Sequence, residues 1–181
     1  MMSHREQLEA LAAMFTYPGN GYAAAAENAA AYSGSAAPSL PAFANEVRRM
    51  PLAVLQELYT STFDLQPACT LDLGWHLFGE DYQRGLLLAR MRRELRAYGI
   101  AETRELPDHL SHALLLLARM GHAQAEEFAA AIVVPAVEHM LRRMPAENVF
   151  RGLLQGVQQV ISTHFPAAFE PVSPIAVGAM L

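Results

Sequence analysis

The sequence predicts an all-α fold, a single-domain bundle of about seven to nine helices, on three grounds. Apolar residues recur at helical spacing along nearly the whole chain; sustained period-2 alternation is missing; and glycine or proline punctuates the periodic stretches. At 181 residues the chain suffices for one domain with a substantial core and is short for two, because single domains run to roughly 100–200 residues.

Taken in order, Leu8, Leu11, Ala12 and Phe15 line one face of a first helix, which the Pro18-Gly19-Asn20-Gly21 cluster ends. Tyr22 to Tyr32, mostly alanine, makes a second helix that neighbours can approach closely, and Ser33 to Pro41 reads as a loop. Between Ala42 and Thr62, Phe43, Val47, Leu52, Leu55 and Leu58 mark helix, with Pro51 breaking it in two or starting the second part. Phe63 to Glu80 is irregular and predicts loop mixed with a short helix.

Asp81 to Tyr98 is strongly amphipathic: Leu87, Leu88, Met91, Leu95 and Tyr98 share a stripe, the arginines from Arg90 to Arg96 fall largely outside it, and Gly99 is a natural stop. After a connector from Ile100 to Leu106, Pro107 fits the first turn of a helix reaching about Met120, with Asp108 at its positive end. Ala123 to Met144 forms a longer helix that Pro135 must kink or divide. A last helix, Ala146 to His164, carries a stripe of Phe150, Leu153, Leu154, Val157, Val160 and Ile161. These elements place the helical domain at 1–165. Residues 166–181, with three prolines and Glu170 as their one charge, read as an extended tail whose apolar character brings it against the body or a neighbour.

Composition narrows the function. No apolar run approaches the roughly 18 residues of a membrane span, and the first residues, with His4, Arg5, Glu6 and Glu9, do not resemble a secretory signal. A cytoplasmic protein is expected. Cys69 is the sole cysteine, so one chain holds no disulfide and no all-cysteine metal or iron–sulfur site. The net charge is −5 and all 13 basic residues are arginine, a poor basis for binding phosphate backbones and a better one for a basic partner. Neither a Walker loop, a G-x-G-x-x-G turn nor a G-x-S-x-G elbow is present, and Cys69 has no diagnostic flanking motif, so no enzyme and no cofactor is expected.

Three clusters carry what chemistry there is. Tyr59 and Phe63, at i and i+4, with Asp64 after them, read either as core packing with a cap or as one wall of a binding site. Around Gly79, the residues Trp75, His76, Phe78, Glu80, Tyr82 and Arg84 interleave aromatic and acidic character, as the wall of a peptide groove would. The plainer reading gives Glu80 and Asp81 to the start of a helix and pairs Arg84 with Glu80 at i to i+4. In the third cluster, Pro107, Asp108 and His109 start a helix. There they also suit a backbone, a basic side chain or a phosphate, with His109 titrating near neutrality. His109 and His112 can face one side of that helix, but Glu-x-x-His and His-Glu-x-x-His patterns are absent and no metal site is expected.

Together and in this order the clusters resemble the TorD/DmsD/NarJ family of redox-enzyme maturation chaperones, the NarJ branch above all. Tyr59-x-x-x-Phe63-Asp64 is similar to the family's aromatic helix end, and His76-x-x-Gly79-Glu80 with Arg84-Gly85 to a NarJ-type segment, here with Asp81-Tyr82 in place of Ser-Arg. Glu105-Leu106-Pro107-Asp108-His109-Leu110 resembles the family's Pro-Asp-His stretch. The resemblance implies a chaperone that binds the N-terminal, twin-arginine-like segment of an apo molybdopterin oxidoreductase catalytic subunit, that of nitrate reductase or a relative. The segment is held until the molybdenum cofactor is inserted, with cofactor-insertion proteins as further partners. It also implies that Tyr59, Phe63, His76, Glu80, Tyr82, Asp108 and His109 line or support the client site, to which the reading of the clusters adds Asp64, Trp75, Phe78, Arg84 and Pro107; the chain is expected to be a monomer or a dimer. A helical ligand-binding transcription regulator is the alternative; it needs a basic recognition helix, for which Arg90 to Arg96 is the candidate.

Overall fold

The computed structural model describes residues 3–65 and 69–170, and among them every regular element is helical. Ser3 opens α1 (His4–Met14) through a reciprocal capping box with Glu6, which satisfies two donors that a helix start otherwise leaves orphaned. The stripe of Leu8, Leu11, Ala12 and Phe15 is buried as its spacing predicts. From α2 (Tyr22–Ser33) the Tyr22 hydroxyl donates to the Met14 carbonyl at 2.6 Å, tying the second helix to the end of the first. Buried Ala26 and Ala29 let α2 lie close to α1 and to α3 (Leu40–Arg49). The predicted loop is therefore shorter than its composition suggested: Ser33 belongs to α2, and Leu40-Pro41 start α3, where a proline has no helical N–H to lose.

Pro51 separates α3 from α4 (Leu52–Tyr59), which runs into a π turn, Thr60–Asp64. The irregular stretch contains one short helix, α5 (Leu73–Phe78), and Gly79, at φ +57°, supplies the left-handed turn into α6 (Tyr82–Ala97). Gly99, at φ +64°, stops α6 as predicted. The next helix starts later than the sequence implied. His109 is the N-cap of α7 (Leu110–Arg119), and Pro107 and Asp108 lie outside it, because the backbone there is engaged with the segment before α5.

Pro135 neither breaks nor ends its helix. α8 (His122–Phe128) passes through a π turn, Ala129–Val133, into α9 (Val134–Arg143) without interruption. A proline removes one backbone donor and crowds the carbonyl four residues before it, and a π turn at that place gives the ring room. With α8 and α9 taken as one rod, the described residues hold nine helices. α10 (Phe150–His164) has its whole predicted stripe buried, in contact with α1, α3 and α9. Where an extended tail was expected from Pro166, residues Pro166–Phe169 form a 3-10 turn with Ala168 buried. The remainder of that expectation, residues 171–181, lies outside the described residues. No helix among the described residues is long and apolar enough to cross a membrane.

α3 and α10 meet where Gly156 leaves no room: a Cβ there would come within 2.7 Å of Leu40 Cγ, and Leu40 is itself fully buried. Gly85, in α6, faces open space. Gly156→Ala is therefore expected to lower unfolding free energy by about 1–3 kcal/mol through overpacking. Gly85→Ala should raise it by up to about 1 kcal/mol through helix propensity. Urea titration of the two variants checks both signs.

Candidate functional site

The Pro-Asp-His stretch is where distant sequence is drawn together. The Asp108 carbonyl accepts from the Leu73 N–H at 2.9 Å, and the Leu110 N–H donates to the Leu71 carbonyl at 2.8 Å, around a single antiparallel bridge between Asp72 and His109. The Asp108 side chain then turns under α5 and accepts from the Gly74 N–H at 2.9 Å. This needs a glycine, since a Cβ at position 74 would stand 2.7 Å from Asp108 Oδ2. Arg84, arriving from α6, donates to Asp72 Oδ2 at 3.2 Å, pairs with Asp108 Oδ2 at 3.6 Å, and lies with its guanidinium carbon 5.8 Å from the Trp75 ring centroid.

The electrostatics follow from burial. Asp108 is fully buried and its Oδ1 has no hydrogen-bond partner. Loss of water pushes its carboxyl above the usual range, the neighbouring Asp72 adds to this, and Arg84 opposes both. Asp72 is raised for the same first reason and drawn back by the same arginine. Removing Arg84 is costly at Asp108 above all, because that carboxylate is buried and would be left without its compensating charge.

These contacts correct several expectations. Arg84 pairs with Asp72 and Asp108 instead of Glu80: Glu80 stands outside α6, whose N-cap is Asp81, so the helical i to i+4 geometry does not apply. Asp108 cannot meet a client's arginines directly, being buried beneath α5, and Pro107 and His109 are buried with it. His109 is not poised near neutrality either. Its Nδ1 accepts from the Ser111 N–H and burial pushes its pKa down to about 4, so the ring stays neutral. Tyr59 and Phe63 take the core reading: their rings are 5.0 Å apart, and Phe150 stands 5.1 Å from Phe63 and 5.5 Å from Tyr59. Asp64 is exposed at the end of the π turn.

The second cluster stays closer to the surface. His76 is half-buried and its Nε2 donates to the Thr70 carbonyl at 2.6 Å, while His139 Nδ1 donates to the His76 carbonyl at 3.2 Å, fastening α5 to α9. Trp75 and Phe78 are half-buried, and Glu80 and Tyr82 are exposed. Of the predicted residues, Phe78 lines a groove of ≈ 370 Å³. Leu77 and Phe78 of α5 form one side, Val134, Pro135 and Glu138 of α9 with the π-turn alanines another, and Phe169 and Glu170 a third. Its charged lining residues are Glu138 and Glu170, both acidic.

The sequence reading missed Asp72, Gly74, Glu138 and Glu170. A glycine and an aspartate flanking Leu73 were the available signal for the first two. Nothing in the sequence marked Glu138, an ordinary acid on an amphipathic helix. Among the described residues no group of three or more histidine, cysteine or acidic side chains is arranged to hold a metal ion.

Residues 24–169 match the family described as nitrate reductase delta subunit. No curated protein matches the chain.

Because the fold holds His109 at about 4 against its usual 6.5, the ring's contribution to stability is complete above pH 6.5 and is lost as pH falls from there toward 4. The span corresponds to a loss on the order of 3 kcal/mol. His109→Asn keeps a competent N-cap and cannot titrate there. Urea midpoints between pH 7 and pH 4 should fall less steeply for this variant than for the unaltered chain; equal slopes would show that His109 is not the titrating group.

Proposed function

The chain belongs to the nitrate reductase delta subunit family, and from that premise we propose that it grips the N-terminal segment of an apo molybdoenzyme catalytic subunit and keeps it from its destination until the molybdenum cofactor is in place. Membership itself carries the coarser role, an assembly chaperone that associates with a nitrate reductase-type enzyme subunit. In this reading the protein performs no reaction. It acts in the cytoplasm, before the client is targeted or docked.

The observation that supports the reading best is the groove between α5 and α9, apolar in its walls and acidic in its charged lining residues. An amphipathic helix lays its apolar side chains into such a groove and is recognised by anchors spaced at i, i+3, i+4 and i+7. Phe78, Leu77 and Val134 offer the apolar contacts, and Glu138 and Glu170 offer carboxylates to the client's arginines. The Glu138 side chain is 43% exposed and its ion pair with Arg142 is long, at 3.8 Å, so it can turn to a partner at small cost. Exposed Glu80 and Tyr82 extend the same chemistry along the surface of the α5–α6 turn. Asp108, Arg84 and Asp72 serve by holding α5 in place, and Tyr59 and Phe63 by packing the core.

Rim charges contribute more to partner choice and association rate than to affinity, whereas buried aromatic anchors carry affinity. Phe78→Ala is therefore expected to weaken binding of the catalytic subunit's N-terminal peptide at least tenfold in calorimetric titration. Glu138→Gln should weaken it several-fold at low salt and less at high salt. A double variant that binds the peptide as tightly as the unaltered chain would refute this placement.

A further inference from the structure

One of the groove's walls is the chain's own approach to residues outside it. Phe169 and Glu170 line the groove, and the sequence continues from there through Pro171 to Leu181. These eleven residues include Val172, Ile175, Val177, Met180 and Leu181 and carry no charged side chain. An apolar stretch of this kind gains by leaving water, and apolar surface within its reach is presented by Phe78, Val134 and Pro135. Eleven residues span up to about 36 Å when extended, far more than a groove of ≈ 370 Å³ requires.

We propose that residues 171–181 of this chain occupy the groove between α5 and α9 whenever no client does. The idea rests on the groove's being the client site. A segment that leaves from the groove's own wall is present there at an effective concentration on the order of millimolar, so even weak contacts fill the site. Pro171 and Pro174 favour an extended over a helical occupant. Having no basic side chain, the segment makes no ion pair with Glu138 or Glu170, and a client bearing arginines adds interactions that the placeholder lacks. The groove is thereby shielded from non-specific apolar partners and yields to a basic one.

The test uses the full chain and a fluorescein-labelled synthetic peptide of residues 171–181. Ile175→Glu/Val177→Glu in the full chain empties the groove without touching its walls, so anisotropy should report binding of the labelled peptide at least tenfold tighter than to the unaltered chain. Adding Phe78→Ala, or Ala130→Glu should that variant fail to fold, abolishes the binding; adding Glu138→Gln leaves it unchanged. Equal binding to the unaltered and Ile175→Glu/Val177→Glu chains, or no binding to either, overturns the proposal. If the client peptide remains sensitive to Phe78→Ala and Glu138→Gln while the labelled peptide does not bind, only the placeholder idea fails. If the labelled peptide binds in the groove and the client peptide is insensitive, the client assignment fails instead.

Discussion

The arrangement turns on the ion pairing of half-buried Arg84 with fully buried Asp108 and half-buried Asp72. α5 has six residues, too few to hold a helix by its own hydrogen bonds, because nucleation is unfavourable and isolated helices need about 12–15 residues to be even marginal in water. What keeps it formed is tertiary. The Asp108 carbonyl and carboxylate take two of its leading N–H groups, on Leu73 and Gly74, and Arg84 clamps the two aspartates beneath it. At the far end His139 bonds to the His76 carbonyl from α9. A helix fixed in this way presents Leu77 and Phe78 at a constant distance from α9, which is what a groove with a defined width requires.

The opposite side of the groove owes its form to a second constraint. Pro135 cannot donate to the helical ladder, and the chain answers with a π turn at Ala129–Val133 in place of a break. The turn brings Ala130 and Ala131 to the groove, where their short side chains leave space. Two of the groove's three walls are therefore products of local departures from regular helix, one by extreme shortness and one by widening, set on a bundle whose other helices follow their apolar stripes closely. In the proposed function, the apolar surface so exposed is what holds the client.

Most of the bundle was legible in the sequence because helix stripes and their stops are local signals. The stripe from Phe150 to Ile161 is buried throughout, and Gly99 adopts the left-handed conformation its position implied. Asp108 was legible as a distinctive residue but not as a buried one, since its surroundings come from residues 72–74 and from Arg84, contacts no periodicity reports. The pairing of Arg84 with Glu80 failed for a similar reason: the spacing was helical, but the helix starts between them. Phe78 lines the groove with Glu138 and Glu170, two acids whose place beside α5 comes from tertiary packing that no local pattern reports.

The central claim is that a client's leading segment seats between α5 and α9 and draws nothing but binding from the bundle. Hydrogen–deuterium exchange on the chain with and without its cognate catalytic subunit tests this most directly. The account predicts slowed exchange concentrated in α5, in the π turn and α9, and in the turn before Glu170, with the α2–α3 face unchanged. Protection confined to α2, α3 or the exposed arginine face of α6, with none at α5 or α9, would contradict it.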